Sequence, residues 1–95
     1  MYIILLTYSC GLEKIEKHLI EHRLFLDKYY ALGKFICSGA QNPRTGGVIF
    51  CNASSSLELE TIISEDPFRQ NNAAKYQIIE FSPTKYATQF EPFIK

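Results

Sequence analysis

The chain opens with Tyr2-Ile3-Ile4-Leu5-Leu6-Thr7-Tyr8, a run of β-branched, aliphatic and aromatic residues that closes at Ser9-Cys10-Gly11. This short apolar run predicts a buried strand. From Leu12 to Leu32 the apolar period changes to three and four residues, which predicts one long amphipathic helix with Gly33 as its C-cap. The stripe expected to face the sheet comprises Ile15, Leu19, His22, Leu26 and Tyr29.

Two further apolar runs, Phe35–Gly39 and Val48–Ala53, are separated by residues 40–47, which contain Pro43 and Gly46-Gly47. Pro and paired Gly are typical of a connection rather than of a strand interior. The two runs therefore predict a β-hairpin.

A second, shorter helix is predicted from Ser56 to about Ser64, because Ser55 and Glu58 form a capping-box pattern. A last strand is predicted over Tyr76–Phe81, before Pro83. The resulting order βαββαβ predicts a ferredoxin-like α+β fold, with a four-stranded antiparallel sheet and two helices on one face.

The composition is that of one globular domain. The chain has 95 residues, 46% of them hydrophobic and 21% charged, which excludes a disordered tail or a fibrous repeat. We expect a single domain over residues 1–95, with 84–95 as a C-terminal extension. Ten Lys and Arg balance ten Asp and Glu, so no net field favours nucleic acid as a partner.

No membrane or cofactor motif is expected. The first apolar run is too short to cross a bilayer and has no basic leader. Cys10, Cys37 and Cys51 are an odd number at wide spacings without a C-x-x-C pair, which favours reduced thiols and a cytoplasmic protein.

The predicted last strand places Ile78 on one face and Ile79 with Phe81 on the other. Because both helices cover the same side, the opposite side of the sheet would expose about 400 Å² of largely apolar surface. Such a surface predicts a homodimer that forms through the open sheet face.

The extension carries Tyr86, Phe90 and Phe93 at i, i+4 and i+7, so it is expected to pack on protein. Two alternatives remain open from the sequence, namely docking on its own domain and a strap across the partner subunit.

His18-Leu19-Ile20-Glu21-His22 matches the H-x-x-E-H pattern of inverted zincins. Glu21, however, lies about 100° around the helix from His22, towards the solvated face. No third ligand is indicated by spacing, and we therefore expect no bound metal.

His22 lies on the helical stripe that faces the sheet, and Asp66 follows the second helix. From the lengths of the two antiparallel helices, both residues should lie about 15 Å from the C-terminal end of the first helix, and we therefore expect them to meet. A buried carboxylate beside an imidazole orients the ring and fixes its tautomer, as in a general acid or base. The plainer alternatives are a core histidine and an N-cap before Pro67.

Other residues are expected near a ligand. Ser38-Gly39 could offer a hydroxyl and a close backbone approach, or form a bulged strand end. Arg44 could pair with a ligand carboxylate, or be a solvated loop charge. Phe68 is also expected to lie near the ligand.

Several stretches together resemble the YCII-related (YciI-like) family over residues 1 to about 86. They are the opening strand with Leu5-Leu6-Thr7-Tyr8, His22 to Asp27, Gly33-Lys34-Phe35, Ser38-Gly39, residues 43–47, Asp66-Pro67-Phe68 and Tyr76 to Phe81. The resemblance implies a dimeric α/β barrel, and a pocket in which His22 and Asp66 are the catalytic pair. It also implies small cytosolic proteins, some of which act on cyclic or lactone-like compounds.

Two functions remain open at this point. The first is a cofactor-independent enzyme of lyase, isomerase or hydrolase type, in which His22 is the acid or base and Asp66 orients it. The second is a non-catalytic ligand-binding or interaction module, in which the pair is a structural hydrogen bond.

Overall fold

The computed structural model of the protein describes residues 1–94. Lys95, the end of the predicted extension, lies outside the described residues. The elements are β1 (Tyr2–Tyr8), α1 (Leu12–Lys17), α2 (Leu19–Ala31), β2 (Phe35–Ala40), β3 (Gly46–Cys51), α3 (Ser56–Ser64), α4 (Pro67–Gln70), β4 (Ala74–Glu80) and a 3₁₀ helix (Thr88–Phe93).

The strands form a four-stranded sheet in the order β2-β3-β1-β4. Every neighbouring pair is antiparallel, with β1 in the centre between β3 and β4. The predicted ferredoxin-like α+β fold is confirmed by this order. The apolar β1 lies in the centre, where both of its edges are paired.

The predicted helix over Leu12–Leu32 is wrong in one respect, because it is broken into α1 and α2 at His18. His18 has φ −104° and ψ 6°, outside helical values, and its N–H donates to the Ile15 carbonyl three residues earlier. Neither Pro nor Gly marks this position, so the periodicity alone could not show the break. Ile15 is fully buried before the break, and His22 follows one turn after it.

Gly46 and Gly47 begin β3 instead of ending the connection, which corrects the predicted strand Val48–Ala53. A Cβ on Gly46 would lie 1.8 Å from the Leu6 carbonyl oxygen, so only glycine permits this approach of β3 to β1. Gly33 has φ 74°, as expected of a residue just after a helix.

The capping box of α3 differs from the predicted one in a single bond. Ser55 Oγ accepts from the Glu58 N–H at 3.1 Å, as expected. The Glu58 carboxylate accepts from the Ser54 N–H at 2.8 Å, so the reciprocal bond goes to the residue before the cap.

The core lies between the helices and one face of the sheet. Burial of this apolar surface is the main source of stability, at about 25 cal/mol per Å². The buried residues from β1 and α2 are Tyr2, Ile4, Leu6, Phe25 and Tyr29, and those from α3 are Leu59, Ile62 and Ile63.

Within residues 1–94, the opposite face of the sheet carries apolar pairs that lie away from the α-helices. Ile3 is paired with Phe50 and with Ile79, and Leu5 is paired with Val48. Ile79 is 41% exposed. This open face has the apolar character that the sequence predicts.

The C-terminal extension reaches back to the end of β3. Asn52 Nδ2 donates to the Phe93 carbonyl at 3.2 Å, and the Phe90 and Phe93 rings pack edge to face, with centroids 5.4 Å apart. The extension thus contacts its own chain. None of the helices within residues 1–94 has the length and apolar content needed to cross a bilayer.

Candidate active site

His22 and Asp66 are in direct contact. His22 Nδ1 and Asp66 Oδ1 are 2.8 Å apart, and the two side chains are 12% and 1% exposed. The predicted approach of these two residues is confirmed, although they are 44 positions apart in the chain. Because the carboxylate accepts at Nδ1, it favours the tautomer whose proton is on Nδ1 and whose free lone pair is on Nε2.

Asp66 is also the N-cap of α4. Its Oδ1 accepts from the Phe68 N–H at 3.0 Å, and Pro67 occupies the first helical turn, where its missing N–H has no cost. The capping role and the contact with His22 were alternatives in the sequence. In the structure the same oxygen performs both.

Tyr76 is a further site residue, which the sequence pattern does not predict. Its hydroxyl donates to Asp66 Oδ2 at 2.6 Å, so both carboxylate oxygens are hydrogen-bonded. Burial, followed by the charge of Asp66, raises the pKa of the Tyr76 phenol well above its usual range. The available signal was the alternation in β4, where Tyr76 shares the helix-covered face with Ile78, opposite Leu6 and Ile4 of β1.

Phe68 packs face to face on the His22 ring. The ring centroids are 4.1 Å apart and the planes differ by 11°. Phe68 is 2% exposed, so it forms a rigid wall that limits rotation of the imidazole.

A cavity of about 470 Å³ opens beside His22, between α1, α2 and the ends of the strands β2 and β3. This volume suits a small organic ligand. Five predicted site residues line this cavity: His22, Ser38, Gly39, Arg44 and Phe68. Asp66 is almost completely buried, and its carboxylate contacts His22 from the side of the core.

Besides His22, the lining residues Ser38 and Arg44 already have polar partners. Ser38 Oγ and the Tyr30 hydroxyl are 2.7 Å apart, which fixes the serine at the cavity wall. Arg44 Nη1 donates to Glu16 Oε1 at 2.5 Å across the cavity mouth. Arg44 therefore joins the loop before β3 to α1.

Within residues 1–94 no group of three or more His, Cys, Asp or Glu side chains is arranged to hold a metal ion. One nitrogen of His22 is already engaged by Asp66. The three cysteines are unpaired, and burial raises the pKa of the Cys51 thiol.

Comparison with known proteins agrees with this architecture. The sequence profile of the YCII-related domain matches residues 1–82. The chain belongs to the YCII-related family. A search of curated proteins found no match.

One solved structure similar to this member of the YCII-related family is 5-chloro-2-hydroxyhydroquinone dehydrochlorinase from Burkholderia phenoliruptrix AC1100, in complex with 2,5-dihydroxybenzoquinone. The TM-score is 0.76 at 17% sequence identity, over 93% of this chain and 96% of that chain. At this identity the likeness establishes a shared fold over almost the full length of both proteins.

Proposed function

We propose that the protein is an enzyme that transfers protons on a small organic substrate, with His22 as general acid or base and Asp66 as the residue that orients it. The observation that supports this most strongly is the position of the His22 ring. One nitrogen is held by a buried carboxylate at 2.8 Å, and the ring borders an open cavity.

The chemistry follows from the tautomer that Asp66 favours. Nε2 has no hydrogen-bond partner among the described residues, so its lone pair is available to take a proton from a substrate carbon or hydroxyl. The imidazolium that forms is stabilised by the adjacent carboxylate and then returns the proton to a second atom of the substrate. These two proton transfers suit an isomerisation or an elimination, including one that opens a lactone with its ring oxygen as the leaving group.

The size and lining of the cavity favour a small organic substrate, such as a cyclic or lactone-like compound, over a polymer. Its volume of about 470 Å³ would hold a single-ring molecule, with Ser38, Gly39, Arg44 and Phe68 around it. The dehydrochlorinase with the shared fold was solved in complex with 2,5-dihydroxybenzoquinone, which is a ligand of this size. We propose no cofactor for the reaction.

We further propose a homodimer through the open sheet face. The support is the row of Ile3, Phe50 and Ile79, in which large apolar side chains lie beside each other on a face without helices. The three unpaired cysteines support a cytoplasmic location.

One observation favours a second candidate function, a non-catalytic ligand-binding or interaction module. Asp66 caps α4 and is nearly completely buried, which are properties of a structural carboxylate. In that case the cavity binds a ligand without converting it.

A matched pair of histidine variants separates the two functions. A thermal-shift screen of small cyclic acids, phenols and lactones first finds compounds that stabilise the protein, and their conversion is then followed by mass spectrometry. We expect His22→Ala to abolish conversion, whereas His18→Ala, a control at the break just before α2, retains it. Ligand binding without conversion would establish the module instead, and conversion that survives His22→Ala would refute the catalytic role of His22.

A further inference from the structure

The mouth of the cavity carries an ion pair that is easily exchanged. Arg44 and Glu16 are joined at 2.5 Å, but their side chains are 38% and 53% exposed. An exposed pair of this kind contributes little to stability, because water and salt screen it. A ligand that offered Arg44 an equivalent anion would therefore displace Glu16 at low cost.

A second cation borders the same cavity. Arg23 follows His22 on α2 and is among the residues that line the cavity. Within the described part of the chain, Arg23 has no ion-pair partner, and Glu16 is the acidic residue that lines the cavity. Once Glu16 has moved away, two guanidinium groups would surround a volume whose remaining walls are largely apolar.

We propose that the cavity binds a small organic oxyanion, that Arg44 exchanges Glu16 for the anionic group of this ligand, and that Arg23 supplies a second positive charge. The proposal rests on the same cavity as the proposed function and specifies its substrate class. Guanidinium groups suit this task because their planar donors match the two oxygens of a carboxylate or of a delocalised enolate.

The exchange makes Glu16 a selectivity residue. A neutral ligand would leave the Glu16–Arg44 pair intact, whereas an anion gains Arg44 as a partner. The Glu16 carboxylate also repels an incoming anion until it turns outward, where its exposed position provides water as an alternative partner. The ligand charge would be fixed at the mouth while its ring extends towards His22.

Isothermal titration with two isosteres tests the charge requirement directly. The probes are 4-hydroxybenzoate and its uncharged analogue 4-hydroxybenzamide, together with 2,5-dihydroxybenzoquinone, whose negative charge lies on ring oxygens. We expect the carboxylate to bind about tenfold more tightly than the amide. Added salt should weaken binding of the carboxylate and leave binding of the amide unchanged. Preference for the quinone over the carboxylate would indicate the ring-oxygen form of the same anion.

Variants test the exchange. Glu16→Gln should tighten binding of the preferred anion about three- to fivefold, since it removes a competitor worth no more than an exposed ion pair. It should leave the amide unchanged. Arg44→Gln and Arg23→Gln should each weaken binding of the anion. Glu60→Gln, at an exposed position on α3, makes the same change of charge as Glu16→Gln and should have no effect.

Several results would overturn the proposal. They are equal affinity for the acid and the amide, an equal effect of Glu16→Gln on both, or no binding of either anion at millimolar concentration. These outcomes are independent of the His22 chemistry. Anion binding that follows the predicted pattern in a protein without turnover would uphold this inference while it removes the proposed enzyme.

Discussion

His22 and Phe68 stack face to face, with ring centroids 4.1 Å apart and planes that differ by 11°. Phe68 also donates its backbone N–H to Asp66 Oδ1, the same oxygen that contacts His22 Nδ1. One residue thus holds the imidazole by its ring and the carboxylate by its amide. The orientation of the pair depends on the first turn of α4.

Replacement of Asp66 by Asn should change the tautomer of His22 while preserving the fold, because Asn is also a good N-cap. The wild-type carboxylate only accepts hydrogen bonds, whereas the amide can also donate one to Nδ1. We expect long-range ¹⁵N spectra to show a larger share of the Nε2–H tautomer in Asp66→Asn. Asp27→Asn, at an exposed position on the same helix as His22, should give the wild-type spectrum. Identical His22 spectra in all three proteins would contradict the coupling between His22 and Asp66.

Tyr76 should make the protein less stable at high pH. The folded-state pKa of its phenol is raised above the usual 10.0, so its contribution is complete below pH 10 and is lost as the pH rises further. The loss is about 1.4 kcal/mol for each pH unit above 10. Urea unfolding between pH 9 and 11 should show a shallower decline for Tyr76→Phe, and parallel curves would disprove this linkage.

Gly46→Ala should destabilise the protein strongly, because its Cβ would lie 1.8 Å from the Leu6 carbonyl oxygen, which belongs to the rigid backbone of β1. We expect a loss of about 2 kcal/mol or more in the free energy of unfolding. Gly39→Ala is the matched control, since no atom lies within 4 Å of its added Cβ. Equal midpoints of urea unfolding for the two variants would count against the close strand approach.

Ile79→Lys should convert the proposed homodimer into a monomer, since a charge would be buried in the row with Ile3. Phe81→Lys should act in the same direction. Leu24→Lys, at a 63% exposed position on the outer side of α2, should keep the molecular mass of the dimer in solution. Light scattering at micromolar concentration measures all three, and a monomeric wild type would refute the dimer itself.

Much of the fold is encoded in local patterns. The change from an apolar strand to helical periodicity at Leu12 and the cap at Ser55 predict elements that the structure contains. The break at His18 leaves no signal in the sequence, because neither Pro nor Gly stands at this position although its dihedral angles are not helical. The sequence predicts a loop at Gly46, because its role in β3 is a contact with another strand, which sequence spacing alone does not show.

The candidate site was predictable only as far as one-dimensional geometry extends. The height of His22 along its helix and the length of the second helix are sufficient to predict the contact between His22 and Asp66. The same geometry does not predict the role of Tyr76, because a tyrosine that alternates with Ile78 is typical of any half-buried strand. Only the structure shows that its hydroxyl donates to Asp66. The roles of Ser38, Gly39, Arg44 and Phe68 remain predictions for binding experiments.

The pairing of β4 with β1 decides whether the site exists at all. Tyr76 lies opposite Leu6, and Gln77 lies opposite Leu5 on the other face. A slip of β4 by one residue would turn Tyr76 to the open face and leave Asp66 Oδ2 without its phenol. A misregistered chain would therefore retain four strands and yet lack a complete site, so the hydrogen bond between Tyr76 and Asp66 reports correct strand alignment during folding.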